Sequence, residues 1–412
     1  MSTPPSAIRA VPAAPARGKV RLRPVAQAVL AAAALGLYLI VLRQMPERHQ
    51  DLSAYLAAAR DAFHGHPLYA PFLHHPFPDA TLRPAFIYPP VFALLMVPLG
   101  LVSERVAAAT WLVISQAALA AALLLVLRQL RPPGWATTAI LCATLTFYPL
   151  WVDVVQGQAN LLILVLVVAG ILVTVRGRPV GAIALGAAAA LKLTPLLLLL
   201  WLLVERRFRE AAWMLGAFAL ITAGAALFRS DDTVIFFTRV LPALASGTAF
   251  YANQSLTGLL GRTLVANPYT DPWLSPPGEP VLVIALALLL LGLWIWRTRR
   301  APTLHRAMAF LPLLPLLSTV TWPHHLVILL PLIWVLIVQI AEREWPLRET
   351  IVVAAMLMVF SLVSRWPIGP EFGQPGFRAA QTTDPVVFLT ANGLLLGTLI
   401  LFLTTPWLLR SR

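Results

Sequence analysis

Asp51, Lys192 and the pair His324-His325 offer a carboxylate, an ammonium and two imidazoles in a chain that is otherwise poor in charge. Asp51 opens the stretch Asp51–Phe63, where Leu52, Tyr55, Leu56, Ala59 and Phe63 recur at helical spacing. Two roles are open to it: an N-cap for that helix, or a carboxylate at a membrane surface that takes a proton from a hydroxyl. Lys192 is one of only two lysines, in a chain that otherwise uses arginine. An ammonium in an apolar run needs a partner, either an anionic phosphate or a carboxylate such as Asp153. His324 and His325 offer metal ligation, a proton shuttle, a contact to a phosphate or hydroxyl, or ordinary interfacial packing, with Trp322 beside them as an interfacial anchor. Adjacent histidines on a helix point in different directions, and no carboxylate pair or Cys/His cluster completes a metal site, so no metal is expected. Tyr88-Pro89-Pro90, Gln156-Gly157-Gln158 with Asn160, Asn253-Gln254-Ser255 and Arg262 are further polar groups close to apolar spans.

The elements that position these groups are membrane helices. Of 412 residues, 59% are hydrophobic and 12% charged; a soluble domain carries about 25% charged residues. The net charge of +14 comes from arginines in short clusters between apolar runs. That is the pattern of cytoplasmic loops and excludes nucleic acid as a partner. The sole cysteine, Cys142, lies inside an apolar run, so disulfides have no role.

The positive-inside rule gives a consistent path. A basic cytoplasmic tail, 1–23, leads into one membrane domain, 24–408, with a cytoplasmic end at 409–412. Residues 24–43 cross outward as an uncleaved signal-anchor, and 44–105 form a long outer segment with interfacial helices near 51–63 and 86–100. The run 180–203 has arginines at both ends and Lys192-Leu193-Thr194-Pro195 in its middle. Pro195 should break it into two helices of about eleven residues, a hairpin with Lys192 at its outer tip. The whole is an all-α polytopic bundle of about twelve crossings.

On this path the unusual residues all open to the outer face, at helix ends. A transporter gathers such groups near the midplane, in matching halves, and no internal repeat is visible. A lipid-linked-sugar flippase and a non-catalytic scaffold are the rival readings; neither needs polar groups concentrated on one side.

The motifs then form a recognisable series. Asp51 leads into Gly65-His66-Pro67-Leu68-Tyr69, followed by Tyr88-Pro89-Pro90, Gly157-Gln158-Ala159-Asn160-Leu161, Lys192-Leu193-Thr194-Pro195, Asn253-Gln254-Ser255-Leu256 and Trp322-Pro323-His324-His325. Over about 24–408 the chain resembles the family 87 glycosyltransferases of the GT-C superfamily. The resemblance implies a multi-pass enzyme of the plasma (inner) membrane that takes a hexose, mannose in the family's mannosyltransferases, from a polyprenyl-phosphate carrier. The acceptor is a glycolipid or glycan outside the cytoplasm, the carrier is a substrate, and no cofactor is implied. By the same resemblance Asp51 matches the general base, the anomeric centre is inverted, and a histidine of the 324–325 pair lies near the donor phosphate. Lys192 and Arg262 are further candidates for the phosphate, and Tyr88, Gln158, Asn160, Asn253, Gln254 and Trp322 for sugar and acceptor.

Overall fold

The structure is a computed structural model that describes residues 24–45, 49–74, 85–275, 278–344, 346–361 and 376–409. Of the two tails expected at 1–23 and 409–412, all but Leu409 lie outside them. The described residues are helical throughout, without strands. Four helices are long and apolar enough to cross a membrane: Pro24–Leu42, Glu104–Leu130, Glu279–Thr298 and Pro323–Glu342. Two bent pairs, Gly134–Leu145 with Tyr148–Gln156 (52°) and Pro385–Ala391 with Gly393–Leu408 (68°), raise the count to six. Shorter apolar helices, among them Asn160–Thr174 and Val180–Leu191, make up much of the rest.

Burial ranks these helices from the centre outward. In Pro323–Glu342, 83% of the best apolar window is buried, against 17% in Pro24–Leu42 and 11% in Glu279–Thr298. A helix apolar on every side belongs in the middle of a bundle, and Leu330 to Val338 are buried without a break. The outer helices instead expose Val25, Val29, Leu288 and Leu289, as lipid-facing helices do.

Four close packing contacts bring the distant polar residues together. Helix Gln50–His64 lies on Pro90–Gly100, and a Cβ on Gly100 would fall 2.9 Å from that of Ala59. Gly157, at φ +68, turns the chain after Tyr148–Gln156; a Cβ there would fall 2.7 Å from that of Leu52. Both the backbone angle and the space require glycine, and the close approach sets Gln158 beside Asp51. Gly181 presses on the backbone of Thr174 and Gly186 on that of Met214, where added Cβ atoms would meet nitrogen and oxygen at 2.5 and 2.3 Å. Small residues of this kind let membrane helices touch backbone to backbone.

The segment 180–204 is broken where the sequence suggests. Val180–Leu191 ends at Lys192, whose backbone is extended, and a 3-10 turn begins at Thr194 with Pro195 inside it. Gly181 packs on Thr174, and Arg207, beyond the second arm, donates to the carbonyl of Thr174 at 2.6 Å. The chain therefore leaves this segment at the end where it entered, as a hairpin does.

Candidate active site

The first turn of Gln50–His64 does not use Asp51 as its cap. The N-cap is His49, with no side-chain cap, and Asp51 lies inside the helix. Its carboxylate turns instead to Gln158, whose Nε2 donates to Oδ2 at 2.6 Å. The oxygen of Gln158 accepts from the hydroxyls of Tyr55 at 2.8 Å and Tyr88 at 3.0 Å. The Tyr55 and Tyr88 hydroxyl oxygens lie 3.1 Å apart. Burial pushes the Asp51 carboxyl above the usual carboxylate range, opposed by the Gln158 hydrogen bond and by Lys192.

The network continues across the hairpin tip. Lys192 Nζ donates to the Tyr88 hydroxyl at 3.3 Å and to Asn160 Oδ1 at 2.6 Å. Asn160 Nδ2 donates to Asp153 Oδ1 at 2.8 Å. An unbroken set of hydrogen bonds thus runs from Asp51 through Gln158, Tyr88, Lys192 and Asn160 to Asp153. The sequence allowed a direct pair between Lys192 and Asp153; the structure interposes an amide.

Lys192 and Asn160 line a cavity whose other walls include Thr194, Thr321 and His325. His325 Nδ1 accepts the backbone N–H of Trp322 at 3.3 Å, which fixes that ring's orientation. His324 is buried, its ring centroid 4.7 Å from that of His325, and neither of its nitrogens has a partner among the described residues. Unpaired imidazole nitrogens in a buried place are costly unless a ligand or water meets them.

The remaining sequence candidates do not line this cavity. Asn253 donates to the carbonyls of Thr248 and Thr319 and accepts from the backbone N–H of Thr321. Gln254 donates to the carbonyls of Tyr251 and Ala391 and accepts from Leu395. Arg262, 1% exposed, donates to the carbonyls of Phe250 and Asn253 and to Asn392 Oδ1. These side chains are occupied with backbone, and together they staple the 248–255 loop to 319–321 and to the helix beginning at Gly393. Trp322 meets Phe250, with ring centroids 6.1 Å apart. Sequence reasoning missed Tyr55 as a polar group, having placed it only in an apolar stripe, and missed Thr321 altogether; the Tyr55–Tyr88 spacing carries no signal of its own.

Lys192 and His325 share the wall of one cavity in a helical membrane protein, and Asp51 is joined to Lys192 through Gln158 and Tyr88. The model of Glycosyltransferase family 87 matches residues 86–319. A polyprenol-phosphate-mannose-dependent alpha-(1-2)-phosphatidylinositol pentamannoside mannosyltransferase of Mycobacterium tuberculosis (strain CDC 1551 / Oshkosh) is 30% identical over 337 residues, covering 77% of this chain and 75% of its own. A polyprenol-phosphate-mannose-dependent alpha-(1-2)-phosphatidylinositol mannoside mannosyltransferase of Mycobacterium tuberculosis (strain ATCC 25618 / H37Rv) is 27% identical over 343 residues, with 77% and 75% covered. One of Mycolicibacterium smegmatis with the same description is 29% identical over 327 residues, 71% of each chain. No solved structure matches.

The chain belongs to glycosyltransferase family 87. The matched region holds Tyr88, Gln158, Asn160, Lys192, Asn253, Gln254 and Arg262, whereas Asp51, Trp322, His324 and His325 lie beyond its ends.

Proposed function

We propose that this protein moves a hexosyl unit, mannosyl as in its relatives' names, from a polyprenyl-phosphate carrier to a glycolipid or glycan acceptor, with inversion. The acceptor oxygen attacks the anomeric carbon while Asp51 takes its proton, and the bond from that carbon to the phosphate oxygen breaks. Polyprenyl phosphate leaves with the electron pair. The phosphodiester is already a good leaving group, so the protein has only to hold it and offset its charge. Lys192, on the cavity wall, does this together with His324 or His325. Positioned proton transfer of this kind contributes about 10²–10⁴-fold in rate.

The observation that carries the reading is the hydrogen-bonded path from Asp51 to Lys192, which couples a carboxylate in the first outer segment to an ammonium on the cavity wall. Arg262, Asn253 and Gln254 act in this reading by holding the loop that accepts the backbone of Thr321 on the cavity wall, while Trp322, Gln158 and Tyr88 border acceptor and sugar. The reaction takes place at the outer face of the plasma membrane, in a bundle of about twelve crossings, counting the short apolar helices and the hairpin arms. The test is incubation of purified protein with labelled polyprenyl-phosphate mannose and phosphatidylinositol mannosides, without nucleotide sugar. A new mannosylated lipid supports the reading; movement of the carrier across vesicles with no new bond supports a flippase instead.

A further inference from the structure

We infer that Asp153 is a positioning residue for donor binding and that Asn160 is the amide spacer through which it acts, holding Lys192 cationic while keeping its ammonium available to the donor phosphate. This rests on the polyprenyl-phosphate reading above. Asp153 is 1% exposed and Asn160 6%. The Asn160 amide is bonded at both ends, donating to Asp153 at 2.8 Å and accepting from Lys192 at 2.6 Å. Only one orientation serves: turned over, its NH₂ would face the ammonium and its oxygen the carboxylate. The amide dipole thus lies along the line between the two charges.

An ammonium buried with no counter-charge is strongly disfavoured, and one locked directly to a carboxylate has little left for a ligand. The interposed amide avoids both. Asp153 offsets the charge from one side chain away, and its second oxygen, Oδ2, has no partner among the described residues. Of the three N–H groups of Lys192, one goes to Asn160 and one to Tyr88. The third is left for the cavity that Lys192, Asn160 and His325 share. Asp153 also anchors the turn that carries Gln158, since its backbone carbonyl accepts the N–H of Gln158 at 2.9 Å. Its side chain and backbone therefore serve the two ends of one network.

The experiment compares Asp153→Asn, Asn160→Asp and the double variant, measuring kcat and the separate KM values for polyprenyl-phosphate mannose and for a phosphatidylinositol mannoside. Each single change should raise the donor KM about tenfold or more, with the acceptor KM unchanged. Asp153→Asn removes the counter-charge; Asn160→Asp lets a carboxylate capture the ammonium. The double variant has the wild-type charge but no spacer, so its donor KM should stay high. Return of the double variant to the wild-type donor KM would overturn the spacer, because net charge alone would then suffice. An equal rise in both KM values, or a fall in kcat alone, would also overturn it by pointing to a purely structural role. Thermal melting in detergent identifies any variant that does not fold, and Asn160→Asp then carries the test. If the wild type transfers from the donor and the donor KM does not move in the variants, this inference alone fails. If the wild type transfers nothing, the donor reading itself fails.

Discussion

The side-chain amide of Gln158 donates to Oδ2 of Asp51 at 2.6 Å, joining two residues 107 positions apart. Because the Gln158 oxygen is held in turn by Tyr55 and Tyr88, the amide cannot rotate freely, and the carboxylate is fixed in direction as well as place. A base works only within hydrogen-bond reach of the proton it takes, so this contact sets the geometry of the proposed reaction.

Gln158→Leu should therefore lower kcat by about 10²-fold through loss of that orientation. The donor KM should change far less. Steady-state kinetics in detergent with both substrates varied measure the split.

The same contact bears on pH. Burial raises the Asp51 carboxyl above the ordinary carboxylate range, so Asp51 stays protonated to a higher pH than an exposed aspartate. A base must be deprotonated, so transfer falls as pH drops through that raised value, giving an acid limb above the usual aspartate position. The Gln158 hydrogen bond favours the carboxylate. Gln158→Leu should accordingly move the acid limb to still higher pH, as a pH profile of kcat/KM would record.

Lys192→Met keeps much of the length of the side chain and removes its charge. Donor binding should weaken by about tenfold or more, and so should inhibition by polyprenyl phosphate, the product. Competition between labelled and unlabelled carrier measures both.

Arg262 should behave differently. Its Nη1 and Nη2 hold two carbonyls and Asn392 in a buried staple, and Arg262→Ala leaves these acceptors unpaired. A loss of about 2–4 kcal/mol in stability is expected, seen as a lower melting temperature in detergent, while the protein that remains folded keeps its donor KM. A direct phosphate contact would give the opposite pattern.

These contrasts show how far the sequence is readable. Asp51, Tyr88, Gln158, Asn160 and Lys192 are noticeable by type, because a polar group beside apolar spans is expensive to keep. That they share one network depends on close approaches such as Gly157 against Leu52, which no local pattern encodes. Asn253, Gln254 and Arg262 give the same signal as the pocket residues, yet Asn253 and Gln254 are held by carbonyls far along the chain and Arg262 by Asn392. Residue type alone does not separate a polar group waiting for a ligand from one already paired with backbone. The break at Lys192-Leu193-Thr194-Pro195 is legible because Pro195 cannot continue the preceding helix. The number of crossings is less so: Asn160–Thr174 and Val180–Leu191 are apolar but short, and their depth follows from packing rather than length.

The most direct test of the account is single-turnover transfer by Asp51→Asn with donor prebound, alongside donor affinity measured on the same preparation. The side chain keeps its size, so the fold and the affinity for polyprenyl-phosphate mannose should be retained while the transfer step slows by at least about 10²-fold. Transfer at the wild-type rate with donor bound would contradict the assignment of Asp51 as the base.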